Sequence, residues 1–115
     1  MRKINTEDVF KMARIIKNAS ITGNIKKAFT EGKNEGADAE QIGIDIFMDI
    51  VCSCADESIE KKFYDLIGGI TEKKPDEIKQ QSLETTIEDI KRICEENNIL
   101  NFFKSAARLS SKIQE

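Results

Sequence analysis

Along almost the whole of this 115-residue chain, apolar side chains return every three or four positions. That spacing decides the fold class. An α-helix turns once in about 3.6 residues, so it gathers such side chains on one face, whereas a half-buried strand would alternate every second residue. Alternating β-branched runs are few, and Pro75 is the sole proline. The expected fold is all-α: six to seven short amphipathic helices packed around a central apolar helix at about residues 40–55. A length of 115 residues suits one domain spanning 1–115, large enough to bury roughly two-thirds of its extended surface without disulfides or metal.

The first helix is expected to open at Asn5 or Thr6, with Glu7 and Asp8 at the positive end of its dipole. Val9, Met12, Ala13 and Ile16 form its apolar stripe. After a break over Ser20–Asn24, a short second helix carries Ile25, Ala28 and Phe29, and Gly32, Asn34 and Gly36 predict a loop. Asp38 with Gln41 resembles a capping pair. The helix that it opens is apolar almost all round, through Ile42, Ile44, Ile46, Phe47, Met48, Ile50, Val51 and Cys54, and such a helix belongs among others. Asp45, Asp49 and Ser53 form its narrow polar strip. Asp56 caps a fourth helix bearing Ile59, Phe63, Leu66 and Ile67, stopped at Gly68-Gly69. Pro75 suits the first position of a short helix containing Ile78. Ser82 opens a sixth, with Leu83, Ile87, Ile90, Ile93 and Cys94 inward, ended by Asn97-Asn98. The last turns Ile99, Phe102, Phe103, Ala106, Leu109 and Ile113 to one side.

Charge argues against a nucleic-acid partner. Eighteen basic and 21 acidic residues are interspersed for a net −3, whereas binding a polyanion usually needs a basic face. Lys26-Lys27, Lys61-Lys62 and Lys73-Lys74 stand as isolated pairs near acids and are expected to be solvated surface. No apolar run nears the roughly 20 residues of a membrane span, and the charged first residues lack a signal peptide's apolar stretch. The expected location is the cytoplasm. Cys52, Cys54 and Cys94 lie in apolar helical patterns and are expected to be reduced core residues. Cys52 and Cys54 would point about 200° apart on a helix, unable to bridge or share a metal.

Chemistry finds few candidates. The chain has no histidine, which removes the commonest general base and metal ligand together. There is no Cys-x-x-Cys spacing for zinc and no phosphate-cradling glycine loop around Gly68-Gly69. Asp45 and Asp49, four apart on one helical face, could do acid–base work only if a pocket drove their pKa values apart. A calcium loop would instead alternate its aspartates off the helix. No cofactor is called for, and the expectation is a binding protein rather than an enzyme. Phe10 and Tyr64 lie off their main stripes, where each either completes the core or joins an exposed apolar patch. The same two readings stand for Phe102 and Phe103.

Three stretches taken together resemble a known family: Ile4-Asn5-Thr6-Glu7-Asp8-Val9-Phe10-Lys11-Met12-Ala13-Arg14-Ile15-Ile16-Lys17, Ile42-Gly43-Ile44-Asp45-Ile46-Phe47 and Glu96-Asn97-Asn98-Ile99-Leu100-Asn101-Phe102-Phe103-Lys104. Their order and spacing are similar to those of the small tail assembly chaperones of long-tailed phages and prophages of Gram-positive bacteria. The resemblance covers nearly the whole chain, through structural rather than catalytic motifs. It implies an all-helical protein of the host bacterial cytoplasm, absent from the finished virion. Such chaperones coat the tape measure protein, a long and aggregation-prone helical chain, and give way as the tail tube protein polymerises. The tape measure protein is thus the implied partner. Contact with the major tail tube protein and self-association stay open, and neither nucleic acid nor membrane is expected.

The contact surface assigned from the sequence joins the first helix to the last through Phe10, Ile99, Phe102 and Phe103. The rivals carry different expectations. A small helical transcriptional regulator would need a basic recognition helix, whereas another protein-binding adaptor would share every feature named so far. A carboxylate enzyme would need a cleft beside Asp45 and Asp49.

Overall fold

A computed structural model describes residues 1–36, 38–52 and 56–112, the side chains of residues 22 and 32–35 excepted. The expectations for Ser53, Cys54 and Ile113 lie outside the described residues. Seven α-helices follow one another, with no strand among the described residues. The Cα radius of gyration, 13.2 Å, matches the roughly 13 Å of a compact chain this long.

Helix α1 (Thr6–Ala19) opens on a reciprocal cap: the Asn5 side chain accepts from the Asp8 N–H at 3.0 Å, and the Asp8 carboxylate accepts from the Asn5 N–H at 2.9 Å. It closes with Ser20 in the left-handed region at φ 56°. There the N–H of Ser20 returns to the Lys17 carbonyl and that of Ile21 to the Ile16 carbonyl, while the Ile21 side chain is buried. That paired closure with an apolar residue behind it satisfies the last carbonyls of the helix and turns the chain at once into the next.

Helix α2 (Thr22–Glu35) is longer than its apolar stripe predicts. The loop expected from Gly32 to Gly36 reduces to its last residue, Gly36, at φ +74°. An interior glycine costs a helix about 1 kcal/mol against alanine. Burial of Ile25 and partial burial of Ala28 and Phe29, on a helix packed against its neighbours, offsets that cost.

Helix α3 (Ala39–Cys52) follows its cap, the Asp38 carboxylate accepting from the Gln41 N–H at 2.8 Å. The Gln41 carboxamide does not reach back; it donates forward to Asp45 at 2.9 Å. Ile42, Ile46, Phe47 and Ile50 are buried, Ile44, Met48 and Val51 half-buried, and Asp45 and Asp49 exposed. Cys52, expected in the core, is exposed instead. It lies seven residues from Asp45 and three from Asp49, which places it on their strip. Helix α3 touches α1, α2, helix α6 (Leu83–Glu96) and helix α7 (Ile99–Lys112). It shares that central place with α7, whose pairing with α1 is the most extensive in the molecule. Gly43 permits the close approach: a Cβ there would lie 2.8 Å from Ile99 Cγ2 and 3.1 Å from Cys94 Sγ.

Helix α4 (Glu57–Thr71) is capped by Asp56, which accepts from the Ser58 N–H at 2.8 Å. It does not stop at Gly68-Gly69 but continues to Thr71 and ends on Glu72 in the left-handed region. Gly68 serves packing rather than termination. A Cβ there would sit 2.7 Å from the backbone oxygen of Lys73, which belongs to the strand of chain folding back toward helix α5 (Pro75–Gln80). Pro75 occupies the first turn of α5 and Ile78 is its buried residue.

Lys73 is no solvated lysine. Its ammonium donates to Gln81 Oε1 and to Asp89 Oδ2, both at 3.0 Å, and Gln81 Nε2 donates to Asp89 and to Thr86. This network pins the α4–α5 connection to α6, with Asp89 and Thr86 buried. At the other end of the chain, Arg2 donates to both oxygens of the buried Asp8, at 2.6 and 2.8 Å. That hydrogen bond raises the guanidinium pKa above its already high ordinary value. The Arg2 N–H reaches the Ile70 carbonyl and the Ile4 N–H reaches Asn97 Oδ1, so residues 2–4 lie across the ends of α4 and α6.

Candidate functional site

The four residues assigned as a contact surface do not share one exposed face. Phe103 is 0%, Ile99 1% and Phe102 5% exposed, whereas Phe10 is 43% exposed. The Phe103 ring meets Phe47 edge-on at 5.0 Å between centroids and lies 5.4 Å from Phe102. Of the four, only Phe10 offers substantial area to a partner in this fold. Its position about 100° round α1 from Val9 carries it off the seam with α7. Tyr64, the other off-stripe aromatic, is half-buried, and its hydroxyl donates to Glu60.

Two shallow grooves flank these residues. One, of about 380 Å³, runs between the starts of α1 and α7, with Ile4, Val9 and the edge of Phe102 as its apolar part and asparagines 5, 97, 98 and 101 around them. The other, of about 270 Å³, lies among α3, α4, α5 and α6, where Val51, Phe63, Tyr64 and Ile78 line a hollow beside Leu83, with Glu60, Lys79, Gln81 and Thr86 as its polar part. Leu83 is 60% exposed, although its stripe predicts an inward side chain. It shares a face with Ile87, Ile90 and Cys94, but as the first residue of α6 it overhangs the neighbours that cover the rest. A stripe residue in a helix's first turn is where periodicity overstates burial.

Asp45 and Asp49 are both exposed. Among the described residues, no group of three or more Cys, Asp or Glu side chains is placed to hold a metal ion. Nor is any described helix long and apolar enough to cross a membrane.

The cysteines separate sharply. Burial pushes the Cys94 thiol up to about 12, helped by the charges of Glu40 and Glu95, whereas Cys52 is exposed. A thiol reacts as its thiolate. In a Cys54→Ser background, a thiol reagent is therefore expected to label Cys52 promptly. Cys94 should stay unlabelled even near pH 9.0, the ordinary value for a cysteine, until the chain is unfolded. Prompt labelling of both in the folded protein would contradict this placement.

Comparison of the chain with protein-family models, with curated proteins and with solved structures finds no match.

Proposed function

We propose that this protein is a phage tail assembly chaperone that binds and solubilises the tape measure protein during tail morphogenesis, acting by binding alone and without chemistry of its own. The observation that carries the reading is the resemblance of residues 4–17, 42–47 and 96–104, in order and spacing, to that family. These stretches fall on α1, on the inner part of α3 and on the junction of α6 with α7.

The surface is compatible with such a role. A chaperone for an apolar helical client needs side-chain anchors and grooves between helices rather than a catalytic pocket. Phe10 and Leu83 are large apolar groups left exposed, and Leu83 stands beside a hollow of mixed apolar and polar lining. An acidic chain with net charge −3 also favours keeping a coated client dispersed. On this reading the protein works in the host cytoplasm and leaves the client as the tail tube forms.

The test is co-expression with a phage tape measure protein, the client that the resemblance implies. The client is expected to become soluble and to co-purify with this chain. A client that stays insoluble beside well-expressed, folded chaperone would remove the proposal. Salt-sensitive retention on DNA in its place would favour a helical regulator.

A further inference from the structure

Helix α7 carries Lys104, Arg108 and Lys112 and no acidic residue, in a chain whose net charge is −3. The three cations are spaced four apart, so they form one row along the helix, about 12 Å long at 1.5 Å per residue. Like charges at this spacing repel and destabilise a helix. The negative C-terminal end of the dipole compensates Lys112, in the last turn, but its influence fades before Arg108 and Lys104. Among the described residues, no carboxylate pairs with any of the three.

The row forms one wall of a groove of about 400 Å³ between α7 and α2. Lys26 stands on the opposite wall, also exposed and without an ion pair among the described residues. The floor is apolar: the half-buried Phe29 supplies its accessible surface, with the buried Ile25 and Ala107 beneath. An apolar trough between two cationic walls is complementary to one ligand shape, an amphipathic helix with carboxylates on both sides of its apolar stripe. A strand is a poor fit, because no sheet edge among the described residues could pair with its backbone. A phosphate backbone would use the cations but not the floor.

We infer that the α2–α7 groove is the docking site for an acid-flanked amphipathic helix of the client protein, held by apolar side chains packed on Phe29 and by carboxylates facing Lys26, Lys104 and Arg108. The inference rests on the helix-binding reading above and assigns it a surface distinct from the α1–α7 seam.

The test uses two synthetic helical peptides of about 18 residues, long enough to span the row. They share one leucine stripe and differ only in glutamate or lysine flanks. At low salt the intact protein is expected to bind the glutamate-flanked peptide at least about tenfold more tightly. The double variant Lys26→Glu, Lys104→Glu should abolish that preference. Its melting temperature should hold within about 3 °C, since K104E turns a repulsive pair with Arg108 into an attractive one. Equal binding of the two peptides to the unaltered protein would overturn the inference, even if the variant failed to fold. So would a preference that survives in the folded variant, or tighter binding of a DNA duplex of about 20 base pairs than of either peptide. Because the probes are synthetic, their failure leaves the co-expression test untouched. A client that stays insoluble leaves the peptide result standing.

Discussion

Phe103→Ala is expected to lower the unfolding free energy by about 3–5 kcal/mol, the usual cost of truncating a phenylalanine in a packed core. The melting temperature should fall by roughly 10–20 °C for a domain of this size. The ring is fully buried and packs edge-on against Phe47, with Phe102 alongside. The variant therefore loses a large buried area and a favourable aromatic pair, and leaves a cavity between α3 and α7. Phe10→Ala, at an exposed position, should change stability by no more than about 0.5 kcal/mol. Thermal melts followed by circular dichroism compare the two directly, and a fall below about 5 °C for Phe103→Ala would place that ring outside the core. The contrast also governs how client binding is read. Binding lost in Phe103→Ala reports an unfolded chaperone, whereas binding lost in Phe10→Ala reports a contact.

Asp8→Ala should cost about 2–3 kcal/mol, more than a surface ion pair and less than a fully enclosed one. The carboxylate is completely buried and accepts from the Asn5 N–H as well as from both Arg2 nitrogens. Its removal undoes half of the cap on α1 and strands the guanidinium. Arg2 itself keeps 29% of its side chain in water, which moderates the loss through screening. The measurement is a double-mutant cycle with Arg2→Ala, read by urea unfolding. The coupling expected between the two positions is about 1–2 kcal/mol. Strictly additive single variants would show that the pair seen here contributes nothing to the folded state.

Local signals in the sequence placed most helix starts, because a cap is decided within four residues. Asn5, Asp38, Asp56 and Ser82 each accept from a backbone N–H in the first turn they open, as their residue types predict. The failures have a common cause in contacts that are distant along the chain. Gly68-Gly69 reads as a stop because glycine is locally permissive, but Gly68 is required by the returning backbone at Lys73. Gly32 reads as a loop, although packing of Ile25 and Phe29 carries α2 through it. Lys73 reads as solvated because Asp89, its partner, is 16 residues away. The same limit applies to the contact surface. Periodicity put Ile99, Phe102 and Phe103 on one face of the last helix but could not say which of its faces the other helices would cover. The cationic row at Lys104, Arg108 and Lys112 was legible at i, i+4 and i+8. Its facing wall at Lys26 was not.

The crossing of residues 2–4 over the far end of α6 has a consequence for how the chain is made. The Lys3–Glu96 and Ile4–Asn97 hydrogen bonds each join residues 93 apart, and the most extensive helix pairing joins the first helix to the last. At synthesis rates of about 5–20 residues per second, α1 waits on the order of 5–20 s for its main partner to be made. During that interval part of the apolar face of α1 has only the helices made before α7 to lean on. Loop closure over so long a separation is also the slow kind of contact for a helical protein. Substitutions along the α1–α7 seam should therefore register first as a lower yield of soluble newborn protein, before any change in the melting of the molecules that complete the closure.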